Sequence, residues 1–531
     1  MKRFVSVIIS FMMIFSTAIF PVGAENNDTR ATKSKAIVII PGIAGSKLMN
    51  TENQTVWFYL SKDRVKQLRC TETGSSVNVI TPETGDTGGV LDTYQDLYSK
   101  LNSAYKNTYD VFLFSYDWRM SCASVASSLA TKLQPYSEVI LIGHSMGGLV
   151  ASKYLATSSA NRAKVDKFIS LGTPYTGSAK AVYAMETGKF VDLDIDAILD
   201  IVKSLVCNFT SVYELLPTNR YNGSYIKNGS TNLSGHTNHW NFLKAAARGW
   251  SRKSDGSIKP MFNSALSFHS SLLVDGTHIA NSSLVDTYKI YGTNKDTISK
   301  VLYTSSGTVS GVEYANSGDG TVLRDSAINN STLGSDHIIG FNCGHMTMPD
   351  TNSVINEIKS IINGTAKSTS VLTDKVEPQQ VNEKGWIIGE DNKRINIMVY
   401  NNGKADLRTS DGYNIISEGD SLYYLSDNEE KVYVGSVWYL GNNSYQYSLF
   451  DGDYIVEQNS SKKSNVKIEY LDSGYYIKSM MYSDVLSPTF TVSNSNGKNI
   501  VCTNEVGQKI SPTKLLSDTE LNVLNNASPI G

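Results

Sequence analysis

Across 531 residues the chain has only five cysteines (Cys70, Cys122, Cys207, Cys343 and Cys502), odd in number and widely scattered. That excludes a disulfide-built scaffold, leaves at least one thiol unpaired, and offers no metal-ligand spacing. Charge of either sign is not in excess: the formal net charge is −2, so nothing marks a nucleic-acid partner. Long apolar runs are missing everywhere but the N-terminus, and no later stretch is expected to span a bilayer. Residues 1–24 are the exception. Lys2 and Arg3 precede an apolar run from Phe4 to Phe20, and small residues end it at Gly23-Ala24. This reads as a secretory signal peptide cleaved near Ala24, so an exported protein is expected, soluble or at most peripheral on a membrane.

What is present is a sizeable apolar fraction, 40% hydrophobic, over a length that suggests two or three domains. The most informative stretch is Val139 to Thr157, VILIGHSMGGLVASKYLAT. Val139–Ile142 is a short β-branched run and reads as a buried strand; Leu149, Val150, Tyr154 and Leu155 then recur at helical spacing. A strand turning into a helix around Gly143-x-Ser145-x-Gly147 is a nucleophile elbow. The strained turn requires glycine on either side of the serine and exposes its hydroxyl at the carboxyl end of the sheet. Ser145 is the candidate nucleophile.

Residues 25–34 read as a polar, flexible lead-in. Ala36–Ile40 is a buried strand ended by the glycine-rich loop Pro41-Gly42-Ile43-Ala44-Gly45-Ser46, a candidate oxyanion loop once paired with a serine elbow. Trp57, Phe58 and Tyr59 suit either a lipid-facing flap or the core. Tyr94–Tyr105 reads as a helix, Tyr109–Ser115 as a strand, with Asp117, Trp118 and Arg119 just beyond it, where ligands bind in open α/β sheets. Asp117 and Arg119 equally suit a structural ion pair. Lys167–Leu171 is a further strand, followed by the loop Gly172 to Ser178 that contains Tyr175. The alternation argues for an α/β fold with a mostly parallel sheet. From about 179 to 286 the pattern becomes helical (Val191–Val206, Trp240–Ala247) and Asn/Gly/Ser-rich, and reads as a cap inserted over the carboxyl edge of the sheet. The sheet is expected to resume at Tyr288–Tyr291, Val301–Thr304 and Ile338–Phe341, and to close with a helix over Val354–Ile362.

A serine hydroxyl needs an adjacent base oriented by a third group, and in this fold acid and histidine follow the serine in that order. His337 starts the strand Ile338–Phe341 and His345 follows its end; at ~3.3 Å per residue they are over ~13 Å apart. Only the carboxyl end carries Ser145, which selects His345. Histidines 236, 239, 269 and 278 fall in the cap. Asp319, in a Gly-Asp-Gly turn, suits a backbone-held carboxylate; Asp336 fails the test that excludes His337, and Asp325 stays open as the alternative acid.

The set PGIAGS (41–46), YDWR (116–119), GHSMGG (143–148), SLGTPYTGS (170–178), GDGTV (318–322) and CGHMTM (343–348) resembles the lecithin:cholesterol acyltransferase family over residues 36 to about 362. The resemblance implies an α/β-hydrolase fold, a triad of Ser145, Asp319 and His345, and the backbone amides of Ala44 and Met146 as oxyanion hole. It also implies a mobile lid and a membrane-binding flap after the first loop, at Trp57 and its neighbours. Candidate substrate contacts are Ile43, Trp57, Asp117, Trp118, Arg119 and Tyr175. The expected activity is release or transfer of an acyl group from a lipid ester, phospholipid being the favoured donor, with triacylglycerol or simple carboxylesters as the alternative. The expected partners are a lipid substrate and a membrane or micelle surface, with no cofactor, no metal and no nucleic acid. The Asn/Ser-rich cap departs from the family, so substrate identity does not carry over.

Residues 366–373 read as a small, polar linker. Beyond them short strands alternate with turns: Arg394–Tyr400, Ser421–Leu425, Lys431–Leu440, Ser444–Phe450, Tyr454–Glu457, Val466–Tyr470, Tyr475–Ser479 and Thr489–Val492. An all-β, sandwich-like domain over 374–531 is expected. Trp438, Tyr439, Tyr445 and Tyr447 suit either packing within it or a platform for a carbohydrate or lipid surface. The reading of another class is a surface-binding protein whose β domain holds it on a wall or glycan.

Overall fold

The computed structural model describes residues 34–57, 62–188, 199–245, 249–331, 333–334, 336–365, 376–380, 393–400, 403–418, 421–427, 431–441, 444–450, 452–458, 463–472, 475–486, 488–493, 499–504, 506–517 and 521. The expected signal peptide, the lead-in up to residue 33, the first part of the Val191–Val206 helix, Phe58, Tyr59 and the 366–373 linker lie outside them.

Six strands form the central sheet: β1 (Lys35–Ile40), β2 (Asp110–Leu113), β3 (Glu138–His144), β4 (Val165–Leu171), β5 (Asp286–Gly292) and β6 (Ile338–Phe341), in the order β6-β5-β4-β3-β1-β2. Every pairing is parallel. Successive side chains of a strand point to opposite faces. Val38, Ile40 and Leu141 accordingly join one apolar core, and Ile37, Ile39, Ile140 and Ile142 another. Helices cover both faces, so β1 and β3 are apolar at almost every position. On one side lie α2 (Cys122–Lys132) and α3 (Met146–Thr157), contributing Val125, Leu129, Leu149 and Val150. On the other lie α1 (Gln95–Tyr105) and α4 (Asn352–Ile362), contributing Leu97, Leu101, Val354 and Ile358. Each such side chain stabilises the fold by ~1.5–3 kcal/mol of transfer free energy.

The chain leaves the sheet after β4 and returns at β5. Between them are helices at Ala179–Thr187, Leu199–Val206, Thr210–Glu214, His236–Leu243 and Met261–Ser270. One strand expectation is corrected. Val301–Thr304 does not join the central sheet: Lys295–Tyr303 pairs antiparallel with Val309–Gly318, closed by a turn in which Gly307 holds φ 87°. The other edge of Lys295–Tyr303 takes Ile226–Asn228 as a parallel neighbour, so the strand is used up within a second sheet; an apolar run does not by itself say which sheet it joins. This second sheet takes in Val376–Gln380 as an outer strand beside Val309–Gly318. That strand, expected in the C-terminal domain, pairs instead with the hairpin that ends at Asp319.

The C-terminal region forms a 13-stranded, wholly antiparallel sheet from Lys393 to Leu515. Leu407, Val456 and Phe490 from one arm share a core with Ile397, Tyr447 and Ile468 from the other. Tyr447 is 1% exposed and its hydroxyl accepts the Ala405 N–H at 2.6 Å, so it packs the domain rather than offering a platform. Tyr445 is half-buried; the side chains of Trp438 and Tyr439 lie outside the described residues. The five cysteines are all buried and free.

Candidate active site

β3 runs straight into the elbow. Ser145 holds φ 52° and ψ −125°, outside the relaxed regions for an L-residue, and its N–H is fixed by the Leu171 carbonyl at 2.8 Å. A Cβ on Gly143 would come within 2.7 Å of the Gly148 Cα, and one on Gly147 within 2.1 Å of the Ile40 carbonyl oxygen. Both glycines are therefore steric requirements of the turn.

His345 lies just past β6, on the loop that follows it. Its Nε2 is 2.9 Å from the Ser145 Oγ and its Nδ1 2.7 Å from the Asp319 Oδ2. Asp319 is set by the second sheet, at the end of Val309–Gly318. Its Oδ1 accepts the N–H groups of Thr321 (3.0 Å) and Val322 (2.7 Å), while its backbone carbonyl accepts the His345 N–H at 2.7 Å. With Oδ1 so occupied, Oδ2 accepts the proton of His345 Nδ1, which leaves Nε2 as the acceptor for the serine hydroxyl. Serine, acid and imidazole are each at most 5% exposed. Asp325 is paired instead with Arg324 and Asn222, within the short helix Arg324–Ile328. His337 is engaged by Asp286 and Asp336 at the opposite end of its strand.

The Pro41–Ser46 loop lies against the elbow: a Cβ on Gly42 would come within 2.9 Å of the Ser145 Cβ. Ala44 holds φ 61°. Met146 is the first residue of α3, so its N–H has no intrahelical partner. Around Ser145 opens a cleft lined by Ile43, Ala44, Trp57, Val90, Val212 and Leu215 among others, with exposed Met346 among its lining. Val212 and Leu215 come from the region between β4 and β5, and no periodicity in the sequence points to them.

Of the six candidate substrate contacts, Ile43 and Trp57 line the cleft. Trp57 is no exposed flap: it is 2% exposed, donates to the Ala44 carbonyl at 2.8 Å, and packs edge-on against Trp118 at 5.2 Å. Asp117, Trp118, Arg119 and Tyr175 do not line it. The Arg119 guanidinium is fully buried, forked onto Asp117 (2.6 and 2.9 Å), and donates to the Leu68 carbonyl and the Ser76 hydroxyl. These contacts hold the segment 68–76 and correct the substrate reading in favour of a structural ion pair. Trp118 donates to the Ser46 carbonyl at 3.1 Å, and Tyr175 is fully buried with the Lys289 Nζ 5.0 Å above its ring.

Two residues escaped the sequence reading. Tyr94, the residue before α1, accepts the Gly42 N–H at 2.8 Å and lies 2.8 Å from the Nδ1 of His144, whose Nε2 lies 3.0 Å from the His345 carbonyl. The available signal was the polar His144 closing an otherwise apolar strand.

A parallel sheet with helices on both faces, a serine elbow after its third strand and an acid–histidine pair after later ones define an α/β-hydrolase. The family model described as "Lecithin:cholesterol acyltransferase" matches residues 75–283, and over that stretch the chain is similar to that family. No curated protein matches it. Among solved structures it is similar to the Tle4-Tli4 complex (14% identity over 63% of this chain and 100% of that one, TM-score 0.45). It is also similar to the Bacillus licheniformis lipase BlEst2 in its propeptide form (11%, 89% and 95%, TM-score 0.29). A third is lipase 1 from Pelosinus fermentans (13%, 64% and 100%, TM-score 0.28).

Proposed function

We propose that the protein is an exported serine-dependent lipid-ester enzyme that takes its acyl group from phospholipid. The observation that carries this is the directed chain Asp319–His345–Ser145 at the floor of an apolar cleft. Ser145 Oγ attacks the ester carbonyl while its proton passes to His345 Nε2, and Asp319 stabilises the imidazolium that forms. The amides of Ala44 and Met146 are the donors for the tetrahedral oxyanion. Collapse expels the alcohol, which leaves with the proton from Nε2, and an acyl-enzyme remains. Water or a second alcohol then gives its proton to Nε2 as its oxygen bonds to the acyl carbon, and the Ser145 Oγ–acyl bond breaks with that proton returning to Oγ. Among the described residues no helix is long and apolar enough to cross a membrane. Export rests on the Met1–Ala24 pattern.

The test is fatty-acid release from phosphatidylcholine by the wild type and by Ser145→Ala. Loss on the order of 10³-fold or more is expected, since the three groups act as a unit. Equal release by both proteins overturns the reading. Phospholipid micelles, triglyceride emulsion and a soluble short-chain ester, assayed side by side, separate phospholipase from lipase. The reading of another class, a surface-binding protein held on a wall or glycan by its β domain, is tested by removing that domain: lost attachment with soluble-ester turnover spared makes it an anchor, and unchanged attachment rejects that role.

A further inference from the structure

We propose that Tyr94 and His144 are positioning residues, forming a one-way hydrogen-bonded tether that fixes the Gly42–Ala44 loop and the His345 loop relative to each other. This rests on the serine-enzyme reading above. The direction of each bond follows from the donors available. The Gly42 N–H can only donate, so the Tyr94 oxygen accepts it at 2.8 Å. The single Tyr94 proton then points to the remaining partner, His144 Nδ1, at 2.8 Å. With Nδ1 accepting, the neutral ring carries its proton on Nε2, which donates to the His345 carbonyl at 3.0 Å. One orientation thus satisfies every atom of the tether.

The surroundings keep it in that state. Tyr94 and His144 are each 2% exposed, and the His144 ring lies 4.8 Å from that of His345. Burial, and then the nearby His345, hold the His144 pKa well below its ordinary value, so the ring stays neutral. A Cβ on Gly45 would come within 2.9 Å of the Tyr94 hydroxyl, and Val90 N–H donates to the Gly45 carbonyl, so the loop is braced from the same side. Neither residue lies within hydrogen-bond reach of Ser145 Oγ in this arrangement; both act through the loops they hold. The loop carries the Ala44 amide proposed for the oxyanion, so loosening the tether moves a donor that matters in the transition state and little in substrate binding.

The test is steady-state turnover of a soluble short-chain ester, per folded molecule, by Tyr94→Phe, His144→Gln, His144→Asn and the Tyr94→Phe/His144→Gln double variant. Gln keeps the donor to the His345 carbonyl and loses the acceptor for Tyr94; Asn does the reverse. Tyr94→Phe is expected to lower kcat about 10- to 100-fold with KM within about threefold, as expected for a slightly misplaced donor. His144→Gln is expected to resemble it, and the double variant to be no worse than Tyr94→Phe alone, because both changes break the same bond. A folded Tyr94→Phe with kcat within twofold of wild type, a change confined to KM, or losses that multiply in the double variant would overturn the tether. Should Tyr94→Phe not fold, His144→Gln and His144→Asn decide: wild-type kcat in both contradicts it. Ser145→Ala is run alongside. If it retains turnover, the serine reading fails; if it is inactive while Tyr94→Phe is normal, only the tether fails.

Discussion

Among the described residues up to Ile362, eight non-glycine residues hold a positive φ, Ala44 and Ser145 among them; beyond Lys393 only Asp484 does. Buried charge divides the same way. Arg119, Glu214, Lys259, Lys289 and Asp319 are at most 4% exposed in the first region, whereas Glu469 is the one comparably buried charge described in the second. Such features each cost about 1–3 kcal/mol and persist where the surrounding structure overdetermines them. The contrast teaches that the α/β region sacrifices stability to hold particular atoms in place, while the antiparallel region is built for packing.

The sharpest way to break this comparison is to remove chemistry from one region and chain from the other. His345→Ala is expected to lower turnover on the order of 10³-fold or more. Truncation after Gln380 is expected to leave soluble-ester turnover within about twofold, as independent domains fold alone. Truncation after Thr365 is a different matter: it removes Val376–Gln380, the strand beside the one that ends at Asp319, and lower turnover is expected. A large loss after Gln380, measured by ester turnover, would show that the two regions are not separable.

Matched glycines give the next effect. Gly147→Ala forces a Cβ to 2.1 Å from a backbone oxygen, and a loss of about 3 kcal/mol or more in denaturant unfolding is expected. Gly412, at φ 97°, has open space where a Cβ would stand, with nothing within 4 Å, so Gly412→Ala should cost only about 1–2 kcal/mol. Matched arginines follow. Arg119→Ala leaves Asp117 without its partner and is expected to cost about 3 kcal/mol by the same measurement. Arg408, half exposed in its pair with Glu457, is worth under ~1 kcal/mol.

The smallest expected effect is a pH dependence. Glu214 lies just before Leu215 of the cleft wall and accepts the Cys122 N–H at 2.7 Å at the start of α2; burial pushes its pKa up to about 7. The folded state then holds this proton more tightly than the unfolded one. The contribution is fully present below the unfolded value of ~4.3 and is lost as pH rises through about 7. Thermal melts across about pH 5–8 should show wild-type stability falling relative to Glu214→Gln, by about 3 kcal/mol at most. A flat difference between the two proteins contradicts the assignment.

The elbow was legible because it is local: strand, turn and helix fall within twenty residues, and sterics dictate the glycines. His345 was legible by counting residues along one strand. The support of Asp319 was not, because it depends on a hairpin whose second strand gave no separate signal and whose first was read into the wrong sheet. Asp117 and Arg119 suited two roles equally until burial and the contacts to Leu68 and Ser76 chose one. Tyr94 and His144 stand fifty positions apart in the chain, and only their tertiary approach gives either a role. In the C-terminal region most strand positions were readable from turn chemistry, but which aromatic packs inward depends on register, as Tyr447 shows.

The most direct measurement is covalent capture by a lipid-like phosphonate ester, with intact mass and peptide mapping. One phosphonyl group on Ser145 is expected, slowed by competing phospholipid and absent in Ser145→Ala. Labelling at another residue, or undiminished labelling of Ser145→Ala, would contradict a serine-centred site.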